Sequence, residues 1–320
     1  MSGRVLLTGG AGFIGSSVLD ALVLQGRRVT VVDDFNDYYD PRTKHENVEA
    51  AVASGLAQVV HADIRSPQTW AELDADEGWD GVIHLAARAG VRPSIRDPAL
   101  YTSVNVEGTA RALDWACSGS SPIPFVLASS SSVYGDEYPV PFGEDAAALS
   151  PVSPYGATKQ SCEALARTWR RMRGIRAVAL RFFTVYGPRQ RPDLAIHKFA
   201  RRIDAGEPIP VYGDGSSARD YTHIDDIVGG VLAALAAVQQ DRLDHFAYNL
   251  GSDRAIRLDE LIAAIEEAVG KAAVIDRQPE QLGDVKRTWA DVSRAGRDLG
   301  YAPSVTFEDG LRDFVSWLRR

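Results

Sequence analysis

Short apolar segments rich in β-branched residues alternate with longer amphipathic segments through the first half of the chain. The apolar segments predict strands at residues 5–8, 29–33, 58–61, 82–84, 125–129 and 177–181. Because these segments are apolar nearly throughout, they are typical of strands buried on both faces of a sheet. Segments 13–25, 99–117 and 155–173 have the apolar spacing of helices. The alternating order predicts an α/β fold with a doubly wound parallel sheet, the Rossmann fold.

The pattern changes after residue 181, where glycine and proline interrupt the apolar segments. Helical spacing returns at about 195–205, 224–239 and 258–269. We therefore predict a Rossmann domain at residues 1–181 and a smaller α/β substrate-binding lobe at residues 182–320, with some segments of the lobe interleaved with the first domain. Because no flexible linker separates the two, we expect them to pack closely and to leave a cleft between them.

Composition narrows the range of functions. The 320 residues carry a net charge of −8, with 43 acidic and 35 basic side chains, which argues against a nucleic-acid binder with a broad basic face. The two cysteines, Cys117 and Cys162, are too few for a disulfide framework and favour the cytoplasm. The longest apolar run, 227–238, is shorter than the roughly 18 residues that span a bilayer, and the start of the chain lacks the pattern of a signal peptide. We expect a cytoplasmic protein without a membrane partner.

The first predicted strand leads into a helix through the glycine-rich sequence Gly9-Gly10-Ala11-Gly12-Phe13-Ile14-Gly15. Glycines with this spacing allow a tight turn, close approach of backbone N–H groups to a pyrophosphate, and close packing of helix on strand. Asp33 ends the second strand, near the offset at which a carboxylate receives the adenosine ribose hydroxyls. A carboxylate there repels a 2′-phosphate, so these residues predict NAD rather than NADP as the cofactor.

Other residues predicted for the cofactor follow the next strands. Asp63 and Ile64 come after the third strand and are expected beside the adenine, whereas residues 85–87 come after the fourth and are expected beside the pyrophosphate and ribose. The full set predicted to bind NAD is Gly9, Gly12, Phe13, Ile14, Gly15, Asp33, Asn36, Asp63, Ile64, Leu85, Ala86, Ala87, Tyr155 and Lys159.

A phenol and an ammonium lie at positions i and i+4 of a predicted helix, as Tyr155 and Lys159. Such pairs are common on protein surfaces, but this one follows the fifth strand and the serines at 129–132, where open α/β sheets bind ligands. A phenol ordinarily ionises near pH 10, so it acts as a base near neutrality only if cations stabilise the phenolate. Lys159 and a nicotinamide ring would supply them, and Ser130 would bridge the phenol and the substrate hydroxyl. Among only five lysines in the chain, Lys159 is the one to which we assign a function.

Longer motifs accompany this pair over essentially the whole chain. They are DDFNDYYD at 33–40, HLAARAGVRPS at 84–94, LRFFTVYGPRQRPD at 180–193, ARDYTHIDDIV at 218–228, YNLG at 248–251 and LGDVKRTWAD at 282–291. Together with the glycine motif and the Tyr-x-x-x-Lys pair, they resemble the extended short-chain dehydrogenase/reductase superfamily, specifically the nucleotide-sugar epimerases and among these the UDP-glucuronate 4-epimerases.

The resemblance implies a reaction. Dehydratases and decarboxylases of this superfamily carry an acidic residue after the fifth strand, whereas this chain has only serines at 130–132, which favours epimerisation. Tyr155 would remove the proton of the sugar 4-hydroxyl while the hydride of carbon 4 passes to NAD. The 4-keto sugar would then turn and receive the hydride on its other face. Two alternatives remain open: a UDP-glucose/UDP-galactose 4-epimerase, and a non-catalytic NAD-sensing regulator.

The resemblance also implies a substrate site. Thr184 and Arg191 occupy the positions that hold the uronate carboxylate, and Arg suits this role as a bidentate donor, unless Arg191 is merely a surface charge. Arg219 and Asp284 match positions that hold the diphosphate and ribose, and residues 195–199 are expected to line the base pocket. The full set predicted for the UDP-sugar is Arg92, Ser130, Ser131, Ser132, Tyr155, Thr184, Arg191, Ala195, Arg219 and Asp284.

Two departures from the subgroup concern fine specificity. Arg88 stands where uronate epimerases usually have glutamine, and Gln281 replaces a residue that is basic in some epimerases. The histidines, including His84 and His223, lack the spacing of metal ligands and are expected to be structural. A homodimer is implied through helices 99–117 and 155–173, whose outward faces would have to be apolar.

Overall fold

The structure is a computed structural model that describes residues 3–145, 149–279 and 285–320. Its strands are β1 Arg4–Thr8, β2 Arg28–Asp33, β3 Ala57–His61, β4 Trp79–His84, β5 Phe125–Ser130, β6 Ala177–Phe182, β7 Thr184–Tyr186, β8 Ile209–Tyr212, β9 Ala218–His223, β10 Ala247–Leu250, β11 Ala255–Arg257 and β12 Ile275–Gln278. Its α-helices are α1 Phe13–Leu24, α2 Pro41–Ala53, α3 Pro67–Ala71, α4 Val91–Arg96, α5 Pro98–Tyr101, α6 Gly108–Ala116, α7 Pro154–Arg173, α8 Ala195–Ala205, α9 Ile224–Gln239, α10 Leu258–Val269, α11 Ser293–Leu299 and α12 Phe307–Leu318.

Seven parallel strands form the main sheet in the order β10-β6-β5-β4-β1-β2-β3. The prediction of a doubly wound parallel sheet is confirmed, and all six predicted strands belong to it within a few residues of their predicted ends. The seventh strand, β10, comes from beyond residue 181 and pairs with β6. The division of the chain into two domains stays a prediction.

Two apolar layers hold helices against the two faces of this sheet. One layer joins α1, α2, α9 and α11 to the strands, and the other joins α3, α6 and α7. Strands such as β1, β5 and β6 are buried over almost their whole length, which explains why they read as continuous apolar runs in the sequence. The carboxyl ends of β1, β2, β4 and β5 meet at one edge, where such sheets bind ligands.

The predicted helix 99–117 is not a uniform α-helix. It consists of α5, a π-helical segment at Thr102–Glu107, and α6. The wider π-helical turn contains Asn105, which is 1% exposed and bonds to two other elements of the site described below. The Asn105 side chain makes three hydrogen bonds to the interior, and the π-helical geometry of this segment accompanies that inward placement. Sequence periodicity alone does not reveal such a local change.

Smaller sheets form the C-terminal part of the chain. β11, β9 and β7 form a three-stranded sheet, and β12 and β8 form a two-stranded one. Helices α8, α10 and α12 surround a separate apolar core that includes Phe199, Leu261 and Phe314. No helix of the described ranges is both long and apolar enough to cross a membrane.

The homodimer predicted through helices 99–117 and 155–173 stays a prediction, and their outward faces are mixed rather than uniformly apolar. The exposed positions of α7 include the small or polar residues Ala157, Ser161, Ala164 and Thr168, and near the end of the helix Met172 is 71% exposed. On the other segment, Thr102, Glu107 and Asp114 are exposed, and Glu107 pairs with Arg111. A dimer through the first turns of α7 would therefore depend mainly on the close approach of small side chains.

Candidate active site

The glycine-rich turn after β1 forms a cradle that other residues would fill. Gly9 has a φ of +71°, and a Cβ on it would lie 2.6 Å from the backbone nitrogen of Ala86. A Cβ on Gly15 would lie 2.0 Å from the carbonyl oxygen of Gly9. The turn therefore brings backbone N–H groups and the start of α1 close together, which suits a pyrophosphate.

Asp33 ends β2 beside this turn. Its carboxylate is 7% exposed and accepts hydrogen bonds from the backbone N–H groups of Ala11 (3.1 Å) and Phe35 (2.9 Å). Burial raises the pKa of Asp33, while those amides and the nearby charge of Lys44 oppose the shift. Two backbone donors fix the orientation of the carboxylate, as recognition of two ribose hydroxyls requires.

Lys44 is a residue of this site that sequence reasoning missed. It lies on α2, is only 4% exposed, and donates to the carbonyl oxygen of Asn36 at 2.8 Å. Burial lowers the pKa of Lys44, and the charge of Asp33 opposes this effect. Its near-complete burial is the signal that separates Lys44 from the surface lysines, and it is visible only in three dimensions.

One large cavity joins these parts, with an empty volume of about 1130 Å³ that includes its open mouth. Every residue predicted to bind NAD lines it. The lining residues outside that prediction include Asp34, Tyr38, Tyr39, Lys44, Arg88, Ala89, Val104, Phe182 and Arg191. The cavity therefore extends from the carboxylates of Asp33 and Asp63 to the Tyr155–Lys159 pair.

Tyr155 and Lys159 occupy the first turns of α7. The backbone N–H of Tyr155 donates to the hydroxyl of Ser94 at 3.1 Å, and its ring meets that of Tyr101 edge-on at 6.3 Å. Lys159 is 5% exposed and donates to the carbonyl oxygen of Ala128 at 2.8 Å. Both side chains line the large cavity, so a phenol and a cation stand together at one end of it.

The serine segment after β5 runs from this cavity to a second one. Ser129 lines the large cavity, whereas Ser131 and Ser132 line the smaller. The predicted catalytic Ser130 is 9% exposed and lines neither cavity; its hydroxyl donates to Ser132 Oγ at 3.2 Å and accepts from the backbone N–H of Ser132. Ser130 therefore holds the segment's turn, while Ser131 and Ser132 face the cavity.

A buried ion pair between Arg181 and Glu163 packs against the serine segment and bonds to Ser129. Arg181 donates to both carboxylate oxygens of Glu163, at 2.9 and 2.8 Å, and Ser129 donates to Glu163 at 2.6 Å. Arg181 also donates to the Tyr134 hydroxyl, which in turn donates to Asn249 at 2.7 Å. This network joins α7, β5, β6 and β10. Sequence reasoning missed it because its members are far apart along the chain.

Asn105 links the loop after β4 to helix α7. Its Oδ1 accepts from the backbone N–H of Arg88 at 2.8 Å, and its Nδ2 donates to the Arg88 carbonyl and to the Thr158 hydroxyl. Cys162 of α7 donates to the Asn105 carbonyl oxygen. The loop after β4 and the helix that carries Tyr155 are thereby held in one fixed relation.

The smaller cavity has an empty volume of about 620 Å³, and residues from both sides of position 181 line it. It brings together Ser131, Ser132, Thr184 and Arg219, four of the residues predicted to bind the UDP-sugar. Arg219 donates to the carbonyl oxygen of Ala218 at 2.9 Å. Hydroxyls and one cation facing a common space suit a polar, anionic ligand.

Arg191 does not line the smaller cavity with Thr184; it lines the larger one with Tyr155. Its guanidinium donates to both oxygens of Asp193 at 2.9 Å, and it lies 5.4 Å from the ring centre of Tyr38. Burial acts to lower the pKa of Arg191, but the pair with Asp193 outweighs it, and the pKa is raised. A carboxylate of the chain itself thus already holds this arginine in bidentate geometry.

Arg92 and Ala195, also predicted for the substrate, line neither cavity. Arg92 lies over the ring of Tyr212 at 4.8 Å, and Ala195 is exposed at the start of α8. The neighbouring Phe199 is packed in the C-terminal core rather than presented to a base. Asp284 and Gln281 fall outside the described residues, so their predicted roles stay predictions.

His84 is buried between two threonine side chains. His84 is 2% exposed, with Thr8 at 2.8 Å from Nδ1 and Thr109 at 3.1 Å from Nε2, and burial lowers its pKa to about 3. Within residues 3–145, 149–279 and 285–320, no group of three or more histidine, cysteine or acidic side chains is arranged to hold a metal ion.

Comparison with known proteins gives a consistent picture. The model of the NAD dependent epimerase/dehydratase family matches residues 5–251. A UDP-glucuronate 4-epimerase of Thermodesulfobacterium geofontis is 38% identical over 316 residues, which cover 98% of this chain and 96% of that protein. The two share nearly their full length.

Solved structures agree with the sequence relatives. The UDP-glucuronic acid 4-epimerase of Bacillus cereus, in complex with UDP-glucuronic acid and NAD, is 33% identical, with a TM-score of 0.90 and 99% of each chain covered. The UDP-glucose 4-epimerase of Thermotoga maritima, solved with UDP-glucose, is 30% identical with a TM-score of 0.89, covering 99% of this chain and 98% of that one.

Proposed function

Because the chain belongs to the NAD-dependent epimerase/dehydratase family, we propose that it is a UDP-glucuronate 4-epimerase that interconverts UDP-glucuronate and UDP-galacturonate. The observation that carries the proposal is the placement of Tyr155 and Lys159 in the cavity that all residues predicted for NAD line. The serine segment next to them, at 130–132, has no acid for a dehydration step. The full-length likeness to UDP-glucuronate 4-epimerases supports the uronate as substrate.

NAD fits the large cavity. The backbone cradle at Gly9 and Gly15 leaves no room for a Cβ, and the carboxylate of Asp33 is oriented by two backbone amides. Lys44 and Lys159 add cations at the two ends. When bound, NAD supplies an acceptor for the hydride of carbon 4 and returns that hydride.

The residues of the chain perform the proton transfer. We assign to Tyr155 the removal of the 4-hydroxyl proton and its return to the 4-oxygen after the sugar has turned. Lys159, held by the Ala128 carbonyl, stabilises the phenolate by its charge. Ser131 and Ser132 face the smaller cavity with Thr184, where they can donate to the UDP-sugar.

Arg191 tests the choice between the uronate and a neutral hexose. We expect Arg191→Ala to lower kcat/KM for UDP-glucuronate by about tenfold to a hundredfold, because a charge-assisted hydrogen bond contributes about 1.5–3 kcal/mol. The value for UDP-glucose should change much less. Steady-state kinetics with both substrates measure the ratio. Equal losses of kcat/KM for the two substrates would show that Arg191 stabilises the structure of the cleft rather than binding the uronate carboxylate.

A panel of UDP-sugars tests the substrate directly. Purified protein is incubated with UDP-glucuronate, UDP-galacturonate, UDP-glucose and UDP-N-acetylglucosamine, and the stereochemistry of each product is read by NMR. We expect interconversion of the two uronates to be the fastest reaction. Rapid turnover of UDP-glucose without formation of UDP-galacturonate would contradict the uronate assignment and favour the neutral-hexose alternative. Absence of any turnover would favour an NAD-sensing regulator.

We further propose that the protein is a homodimer through α7 and the segment from α5 to α6. The small exposed residues of α7, such as Ala164, allow close approach of a second helix. We expect the wild type to have twice the chain mass of 34.7 kDa by light scattering, and Ala164→Arg to return it to a single chain mass. Ala50→Arg, at an exposed position of α2, is the matched control and should stay dimeric. A wild type at the monomer mass would contradict the proposal.

A further inference from the structure

Arg88 lies in the cofactor cavity, in the loop that follows β4. Asn105 accepts from its backbone N–H and donates to its carbonyl oxygen, so the backbone at this position is held on both sides. Two residues earlier, Ala86 lies against Gly9 of the glycine-rich turn. The backbone of Arg88 is therefore held close to the glycine-rich turn, which suits a pyrophosphate.

The guanidinium of Arg88 reaches from this loop toward the loop after β2. Its Nη1 donates to Oδ1 of Asn36 at 3.2 Å. The side chain thus bridges the two loops between which the phosphates and the adenosine ribose of a dinucleotide pass. Asn36 is itself held, because its Nδ2 donates to Asp34 at 2.5 Å.

One donor of Arg88 lacks an acceptor within the part of the chain that the structure describes. Its Nε is buried and makes no hydrogen bond there. The three carboxylates on this side of the cavity have other partners: Asp33 accepts from backbone amides, Asp34 from Asn36, and Asp63 from Arg65. A buried guanidinium donor without an acceptor is costly, so it is expected to be satisfied when a ligand binds.

Phosphate oxygens suit this donor best. A guanidinium binds them with strong charge-assisted hydrogen bonds, and the cofactor carries two phosphates in the middle of its length. We propose that Arg88 is a cofactor-binding residue that donates to the pyrophosphate of NAD and strengthens its retention. The glutamine that is usual at this position in similar epimerases can donate a hydrogen bond but supplies no charge.

The inference depends on NAD as the cofactor of the proposed function, but not on the identity of the sugar. Its test is a binding measurement, so loss of the uronate assignment would leave it unaffected. The protein is stripped of bound cofactor, and the dissociation constants of NAD⁺, NADP⁺, ADP-ribose and adenosine are measured by calorimetry for the wild type and for Arg88→Gln. Arg42→Gln is the matched control, since Arg42 is 86% exposed at its side chain and lies outside the cavity.

We expect Arg88→Gln to weaken NAD⁺ and ADP-ribose alike, by about tenfold to a hundredfold, and to leave adenosine unchanged. Arg88→Lys, which restores the charge, should recover part of the affinity, and Arg42→Gln should bind as the wild type does. Equal weakening of adenosine would assign Arg88 to the fold of the loop and overturn the proposal. A loss confined to NADP⁺ would place its partner at the ribose 2′ position, and unchanged affinity for ADP-ribose would also overturn it.

Discussion

Replacement of Tyr155 by phenylalanine is expected to lower kcat for UDP-glucuronate epimerisation by about 10²–10⁴-fold, the range that a general acid–base group contributes. Only the hydroxyl is removed, and the ring keeps its edge-on contact with Tyr101. KM and the affinity for NAD should therefore change little. Kinetics with product analysis by NMR measure the first, and calorimetry measures the second.

The matched control is Tyr138→Phe, which removes a phenol that lines neither cavity. We expect its kcat to stay close to that of the wild type. If Tyr155→Phe kept near-full activity, the proton transfer would have to be assigned to another group. If it lost affinity for NAD as strongly as it lost turnover, the effect would be one of structure rather than of acid–base catalysis.

Glu163→Gln is expected to lower the free energy of unfolding by about 3–5 kcal/mol, because it leaves the charge of Arg181 buried without a counter-ion. Arg181 is 1% exposed and Glu163 2% exposed, and they are joined by two hydrogen bonds. Urea-induced unfolding followed by circular dichroism measures the change. Since Glu163 also orders Ser129, a lower kcat should accompany the loss.

Two further variants separate this effect from a general one. Glu107→Gln removes a carboxylate from an exposed ion pair with Arg111 and should cost less than about 1 kcal/mol. The double variant Glu163→Leu with Arg181→Met removes both buried charges and should be more stable than Glu163→Gln alone. A loss for Glu163→Gln no larger than that for Glu107→Gln would show that Arg181 finds another counter-charge.

Most residues that line the large cavity could be predicted because their signals are local. Gly9, Gly12 and Gly15 fall within one turn of chain, and Asp33 lies at the end of the next strand. The Rossmann topology then carries every strand end to the same edge of the sheet. Once the strands were located, the cavity-lining residues after each of them followed without knowledge of side-chain packing.

The remaining features depend on contacts between distant segments. Asn105 meets Arg88 and Thr158, and the pair of Arg181 with Glu163 joins β6 to α7. In the sequence Lys44 does not differ from any other lysine of a helix, and only the structure shows that it is buried. No periodicity encodes such pairings, because each is fixed by tertiary packing.

Arg191 shows the same limit within the substrate site. Motif similarity placed it with Thr184, but the side-chain conformation depends on Asp193 and Tyr38, which bring it to the wall of the larger cavity. Spacing along the chain gave the residue type that suits a carboxylate. The pairing of this guanidinium with Asp193 became visible only in the structure.

The central claim is that this chain inverts carbon 4 of UDP-glucuronate by moving one hydride to bound NAD and back. The most direct measurement uses UDP-glucuronate deuterated at carbon 4, with the UDP-galacturonate product examined by NMR and mass spectrometry. We predict that the product keeps the deuterium at carbon 4, because the abstracted hydride never exchanges with water. Formation of UDP-galacturonate with hydrogen at carbon 4, or no UDP-galacturonate at all, would contradict the account.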